Sequence, residues 1–301
     1  MELTGYAHRD YARSLAEFGV PLELPASGGW LLRRPIGDTG YSDAMGPYPL
    51  FCCQNWSGLR ADLDALARDL VSVVLVSDPF GKYDEVLLRS CFDHVAPFKT
   101  HFVIDTRRPG ACGKADHRRR ARKALRHVSV EICADPAGRL AEWVSLYDQL
   151  IRRHTIIGIQ AFSLESFRRQ FAVPGLTFLR ALSQEGECIA GQLWYAHREV
   201  ACYHLGASNS LGYEYGCSYA LFSAAIDSFQ GKVRWLDLGG GAGYTDRDDG
   251  LTQFKRGWSN DTRPVWLCGR VLNMERYIEL TASARAEHAC YFPAYRCPHT
   301  G

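Results

Sequence analysis

The residues best placed to do chemistry fall between Trp235 and Trp258, in the stretch WLDLGGGAGYTDRDDGLTQFKRGW. A short apolar run, Trp235 to Leu238, reads as a strand and carries one acid, Asp237. It breaks at once into Gly239, Gly240, Gly241 and Gly243, passes an acidic loop with Asp246, Asp248 and Asp249, and closes on Phe254-Lys255-Arg256. Successive glycines after a strand mark backbone that takes positive φ or approaches another group closely. A lysine just beyond such a loop can meet anionic oxygen, either a phosphate or the oxyanion of an acyl transfer. The alternative is a tight turn followed by an exposed cation on a strand, and these residue types alone leave both open.

Neighbouring segments narrow the choice. HLGAS (204–208), YGCSYALFSAAI (215–226), WLDLGGG (235–241) and FKRGW (254–258) follow one another at a spacing that resembles the Fem-like branch of the GNAT acyltransferases. Upstream, HRRRARKALRHVSVEI (117–132) resembles that family's basic helix and following strand, and DAMGPYPLF (43–51) resembles its N-terminal Gly/Pro/Tyr segment. The resemblance implies an α/β (α+β) fold of two tandem GNAT-like domains, each a mixed, mainly antiparallel sheet flanked by helices. On that reading residues 1–128 form the first domain, residues 129–274 form the second and carry the FK motif, and the tail 275–301 returns to the first.

The activity implied is transfer of an aminoacyl group from aminoacyl-tRNA to an amine of a small soluble acceptor, forming an amide. Such a reaction needs the partners positioned, a proton accepted and an oxyanion stabilised. By the resemblance, Lys255 stabilises the transition state or meets the terminal phosphate and ribose of the tRNA. Phe254 packs or stacks beside it, and Asp237 orients Lys255 or the substrate amine. Gly239, Gly240 and Arg256 complete that segment. The loop Ser210–Ser218 stands where GNAT acetyltransferases hold the CoA diphosphate; it keeps Gly212 and Gly216 but lacks the basic residue and the tight spacing. No bound cofactor is therefore expected, and acyl-CoA-dependent N-acyl transfer on the same fold is the alternative.

The elements that must position these groups can be read from periodicity. Strands are expected at 177–183, 187–195 and 199–206, an antiparallel meander, with helices at 138–154, 163–172 and 217–229 around them. Tyr203 and His204 fall on the third meander strand and face the cleft on this reading, and His204 is a candidate general base because imidazole titrates near neutrality. Tyr215, Tyr219 and Tyr244 are candidates to line the pocket. In the first half, strands are expected at 71–76, 94–98 and 100–105.

The most basic stretch is 107–127, read as a helix with Ala121, Ala124, Leu125 and Val128 on its apolar face. Arg118, Arg122 and Arg126 then recur one turn apart, with Arg119 beside them. A ladder of like charges repels itself unless an anion lies along it. The readings are a phosphate-binding face for tRNA or a solvated surface, and a non-catalytic RNA-binding module is the rival from another class.

Composition bounds the rest. The chain has 301 residues, 47% hydrophobic and 23% charged, with a net charge of +2, so any affinity for nucleic acid must come from a local patch. No signal-peptide layout and no membrane-length apolar run occurs, which leads to an expected cytoplasmic location. Eleven scattered cysteines do not form a disulfide framework. His288, Cys290, Cys297 and His299 match no standard zinc spacing, so no metal is expected.

Overall fold

The computed structural model describes residues 3–110, 112–241, 249–284 and 291–297. Its strands are β1 (Val20–Leu24), β2 (Gly29–Pro35), β3 (Ser42–Met45), β4 (Ser72–Val76), β5 (His94–Asp105), β6 (Ser129–Ile132), β7 (Leu176–Leu182), β8 (Cys188–His197), β9 (Val200–Ser208), β10 (Trp235–Asp237) and β11 (Asp261–Val271). Its α-helices are α1 (Arg9–Ser14), α2 (Leu59–Ala65), α3 (Glu85–Cys91), α4 (Ala115–Ala124), α5 (Leu140–His154), α6 (Leu164–Phe171), α7 (Ser210–Tyr215), α8 (Cys217–Phe229), α9 (Gly250–Trp258) and α10 (Met274–Ser283).

The chain divides into two compact units, residues 1–14 with 99–264 and residues 15–98 with 265–301. The first boundary thus lies at 98/99 and not at 128, the return crosses at 264/265 and not at 274, and the N-terminal fourteen residues belong with the later unit. The reason is visible in the contacts of those residues: Tyr6 bonds to His204, and the hydroxyl of Ser166 donates to the carbonyl of Ser14.

Each unit is a mixed, mainly antiparallel sheet flanked by helices. In the unit of residues 15–98 and 265–301, β2 pairs antiparallel with β1 and β3, β3 runs parallel to β4, and β4 pairs antiparallel with β11. Leu31, Phe51, Leu59, Leu63, Val73 and Cys268 fill its core. In the other unit, β6, β7, β8 and β9 form an antiparallel run, β9 is parallel to β10, and β10 is antiparallel to β5. There α4 and α8 cover one face. Ala121, Ala124 and Val128 are buried against Ala220, Leu221 and Ala225, while Leu125 is 47% exposed. Small residues on facing helices let the backbones come close.

The parallel pair is what opens a site. β9 and β10 stay in register only from Val200–Cys202 to Trp235–Asp237. Beyond that, the chain after β10 keeps to β5, with Leu238 N–H on the Phe102 carbonyl at 2.9 Å and Phe102 N–H on the Gly239 carbonyl at 3.1 Å. β9 continues to Ser208 paired with β8 but not with β10, so β9 and β10 part at Tyr203.

Candidate active site

Lys255 lies at this parting. It belongs to α9, whose first turn is capped by Asp249 accepting from Thr252 N–H at 2.7 Å. The helix turns Lys255 inward, where only 6% of it is exposed, so it is not a surface cation on a strand. Its Nζ donates to the carbonyl of Gly240 at 2.6 Å and sits 5.5 Å from the centre of the Tyr203 ring. Burial pushes its ammonium down from 10.5 to about 8; Asp237 opposes the shift, Lys99 adds to it, and Asp249 opposes it.

The glycines explain themselves at this point. Gly239 has φ +74°, and a Cβ there would stand 3.1 Å from Lys255 Nζ. A Cβ on Gly240 would stand 3.1 Å from Cδ of Lys99 and 3.3 Å from the Thr100 carbonyl. Lys99 in turn donates to the carbonyl of Gly241 at 3.0 Å. Asp237 is 2% exposed, and its carboxylate accepts the Gly239 N–H at 2.8 Å. Nδ1 of His101 lies 2.9 and 3.0 Å from the two Asp237 oxygens, so this nitrogen carries the proton it donates. The structure thus brings Lys255, Asp237, Gly239, Gly240 and Tyr203 together, and adds Lys99 and His101 from β5. Sequence reading missed both because β5 is remote in the chain and its register with β10 carries no local signature.

His204 does not join them. A bulge pairs Trp194 with Tyr203 and Leu193 with Leu205, leaving His204 as the extra residue. Tyr203 packs toward Trp194 and Phe222, whereas His204 enters a cluster with Tyr6, Tyr11, Tyr195 and Phe162. Its Nδ1 is 3.0 Å from the Tyr6 hydroxyl and its Nε2 is 3.0 Å from Gln170 Oε1. Burial pushes it down to about 3, so it stays neutral and satisfied. That geometry corrects the reading of His204 as a general base at the cleft.

Phe254 points to the other side of α9. Its ring contacts Tyr219 and Phe222, each at 4.9 Å, and its carbonyl accepts from Nε2 of His117 at 3.1 Å. Arg256 is exposed with its guanidinium 5.6 Å over the Phe102 ring. Gly212 and Gly216 are backbone devices. A Cβ on Gly212 would stand 2.3 Å from the Ile189 carbonyl, and Gly216, at φ +68°, breaks α7 from α8. The side chain of Asn209 caps α7 by accepting the Gly212 N–H at 2.9 Å, which occupies an amide of the loop where a diphosphate would be sought. Tyr215 stacks on His127 at 4.7 Å, and Tyr219 lies under the Arg120 guanidinium at 5.4 Å.

The basic stretch is a shorter helix than expected, and its cations differ. Arg118 turns to the Gly113 carbonyl, while Arg119 and Arg120 both reach Asp116. Arg122, Lys123 and Arg126 are exposed and make no ion pair with the described residues. α4 is mounted on α9: Lys114 N–H donates to the Gly257 carbonyl at 2.7 Å, and His117 reaches Phe254 as above. A groove of about 440 Å³ elsewhere in this unit is lined by Arg107, Arg108, Arg118, Asp227 and Trp258 among others and does not include Lys255.

Gly243, Tyr244, Asp246, Asp248, His288, Cys290 and His299 lie outside the described residues. Among the described residues no group of three potential metal ligands occurs and no cysteine is in a disulfide. No described helix is long and apolar enough to cross a membrane.

Comparison with known proteins gives this geometry a setting. Residues 113–256 match the family model described as an acetyltransferase (GNAT) domain. No curated protein sequence matches the chain significantly. The crystal structure of FemX superposes with a TM-score of 0.67 at 13% identity, covering 90% of this chain and 92% of that one. L-PGS from Bacillus licheniformis gives 0.61 at 15%, covering 90% and 94%. The C-terminal domain (DUF2156) of a putative lysylphosphatidylglycerol synthetase from Agrobacterium fabrum gives 0.62 at 12%, covering 87% and 88%. At these identities the likeness is one of fold.

Proposed function

We propose that this chain, which carries a GNAT acyltransferase domain on a Fem-like fold, transfers an aminoacyl group from aminoacyl-tRNA to an amine of a small soluble acceptor. The observation that carries the reading is Lys255, a buried amine held on a strand-end carbonyl where β9 and β10 part. In its ammonium form Lys255 can donate to the ribose oxygen that gains charge as it departs. The Tyr203 ring lies beside it, and Asp237, held by His101 and by the Gly239 amide, fixes the glycine turn. The capped start of α7 favours a donor that does not need a diphosphate cradle there. The unpaired Arg122, Lys123 and Arg126 offer a polynucleotide backbone its contacts. A fold neighbour named for lysylphosphatidylglycerol synthesis supports aminoacyl chemistry on this scaffold.

A second reading, acyl-CoA-dependent N-acyl transfer, is favoured by the match to an acetyltransferase domain over residues 113–256. A donor panel separates the two. Purified protein is incubated with pooled radiolabelled aminoacyl-tRNAs and, separately, with acyl-CoAs, with small peptides and amine-bearing nucleosides as acceptors. RNase-sensitive consumption of one aminoacyl-tRNA is expected; consumption of an acyl-CoA with every tRNA untouched overturns the reading.

A further inference from the structure

The triple glycine after β10 is a seat for two lysines. Lys255 Nζ takes the carbonyl of Gly240 at 2.6 Å, and Lys99 Nζ takes the carbonyl of the next residue, Gly241, at 3.0 Å. Each lysine also dictates a glycine, since a Cβ on Gly239 would crowd Lys255 Nζ and a Cβ on Gly240 would crowd the Lys99 stem, each at 3.1 Å. Two cations drawn to successive carbonyls, one of the cations buried, is an arrangement that costs stability and is not needed to close a turn.

The groups facing Lys255 can be named element by element. β5 brings Lys99 and, through Asp237, His101; β10 brings Asp237; β9 brings the Tyr203 ring; Asp249 caps its own helix. No ion pair joins Lys255 to Asp237, whose carboxylate is taken by His101 and the Gly239 amide. Lys255 is therefore a desolvated amine with a cation nearby and no salt-bridge partner among the described residues, the environment in which a lysine gives up its proton near neutral pH.

We propose that Lys99 and Lys255 act as a pair on the successive carbonyls of Gly240 and Gly241, Lys99 as the fixed charge and Lys255 as the proton carrier of the transfer. The proton route rests on the function proposed above. The acceptor nitrogen's lone pair forms the new C–N bond and the carbonyl electrons move to oxygen. The N–H proton of that intermediate passes to the Lys255 amine. As the intermediate collapses, the C–O ester bond breaks and the ribose oxygen leaves with the proton from Lys255, which returns to the amine form. Lys99 stays cationic throughout and favours the protonation state of Lys255 that can accept.

The test reads Lys255 directly. The chain has six lysines, so protein grown with 13Cε-lysine gives six resonances, and the one lost in Lys255→Arg is Lys255. Titration is followed in the wild type and in Lys99→Met, Lys99→Gln and Lys99→Arg, with thermal melts to verify folding. The Lys255 midpoint is expected near 8 in the wild type. It should rise by about one pH unit in Lys99→Met and Lys99→Gln and return in Lys99→Arg, which restores the charge. An unmoved midpoint in both neutral variants, or an ordinary lysine midpoint in the wild type, overturns the pair. Because no donor is present, this result is separate from the donor panel: absence of aminoacyl transfer would sink the function and leave the pair standing.

Discussion

Each unit places a charged side chain in the dark near a parallel strand pair, and the two are treated in opposite ways. In the unit of residues 15–98 and 265–301 the charge is Asp43 on β3, which is 0% exposed. Arg34 reaches its two oxygens at 3.0 and 3.1 Å, Arg296 reaches them at 2.6 and 3.0 Å, and the Tyr295 hydroxyl adds a contact at 3.2 Å. Every lone pair of that carboxylate is engaged, and two of its donors come from the tail that it pins in place. In the other unit the charge is Lys255, given among the described residues one carbonyl and one ring face. A charge that only holds structure is paired to saturation; one left short of partners keeps free energy that chemistry can use.

The difference is sharpest when each charge is removed. Lys255→Met should lower aminoacyl transfer by about 10²–10³-fold or more, the loss typical of one oxyanion donor or proton carrier. The same change should stabilise the fold at pH 7. The Lys255 ammonium has a lower pKa folded, about 8, than unfolded, 10.5, so its burden is full below pH 8 and vanishes above 10.5. At 1.36 kcal/mol per unit this is at most about 3 kcal/mol, less about 1 for the lost Gly240 contact. Urea unfolding at pH 7 and pH 10.5 measures it, and a variant less stable than the wild type at pH 7 breaks the comparison.

Asp43→Ala should do the reverse, leaving Arg34 and Arg296 buried in part and facing each other. A loss of about 3–5 kcal/mol is expected in the same unfolding assay. A change below 1 kcal/mol would show that this network is not what pins the tail.

His204→Ala tests the neighbour that shares a strand with the site. It strands Tyr6 and Gln170, at a cost of about 2–3 kcal/mol, while transfer by the folded protein changes less than about threefold. Its folded value, about 3, lies below the unfolded 6.5, so its contribution is present above pH 6.5 and lost as pH falls toward 3. Acid unfolding of the variant should therefore be shallower over that window.

Replacing Arg122, Lys123 and Arg126 together by Gln should have the smallest effect on chemistry. It should raise KM for the tRNA with kcat kept, and reduce the slope of log affinity against log salt by about two to three. An unchanged slope would return α4 to a solvated surface.

Part of this was legible in the sequence and part was not, for definite reasons. The meander, the long helix before it and the apolar stripe of α4 follow from periods of 2 and 3.6, and β7, β8, β9, α5 and α8 lie within a few residues of expectation. The pattern predicts two strands at 94–98 and 100–105, but β5 runs unbroken from His94 to Asp105. β3 lies hidden in the Gly/Pro/Tyr segment, where four residues pair with neighbours that only the fold supplies. The division into units escaped because strands before and after it alternate alike. At the site, the glycines, Asp237 and Lys255 announced themselves by type and order. Lys99 and His101 did not, since they meet Gly241 and Asp237 only through the β5–β10 register. The side taken by His204 depends on a bulge, and a bulge of one residue leaves no mark in the sequence that alternation would reveal.

The most direct test of the central claim is a single-turnover transfer assay across pH 6 to 9.5, with one labelled aminoacyl-tRNA, its acceptor, and either wild-type protein or Lys255→Met. The account predicts RNase-sensitive transfer by the wild type that rises with pH through about 8, and none above background by the variant. Transfer by Lys255→Met at the wild-type rate, with the wild-type pH profile, would contradict it.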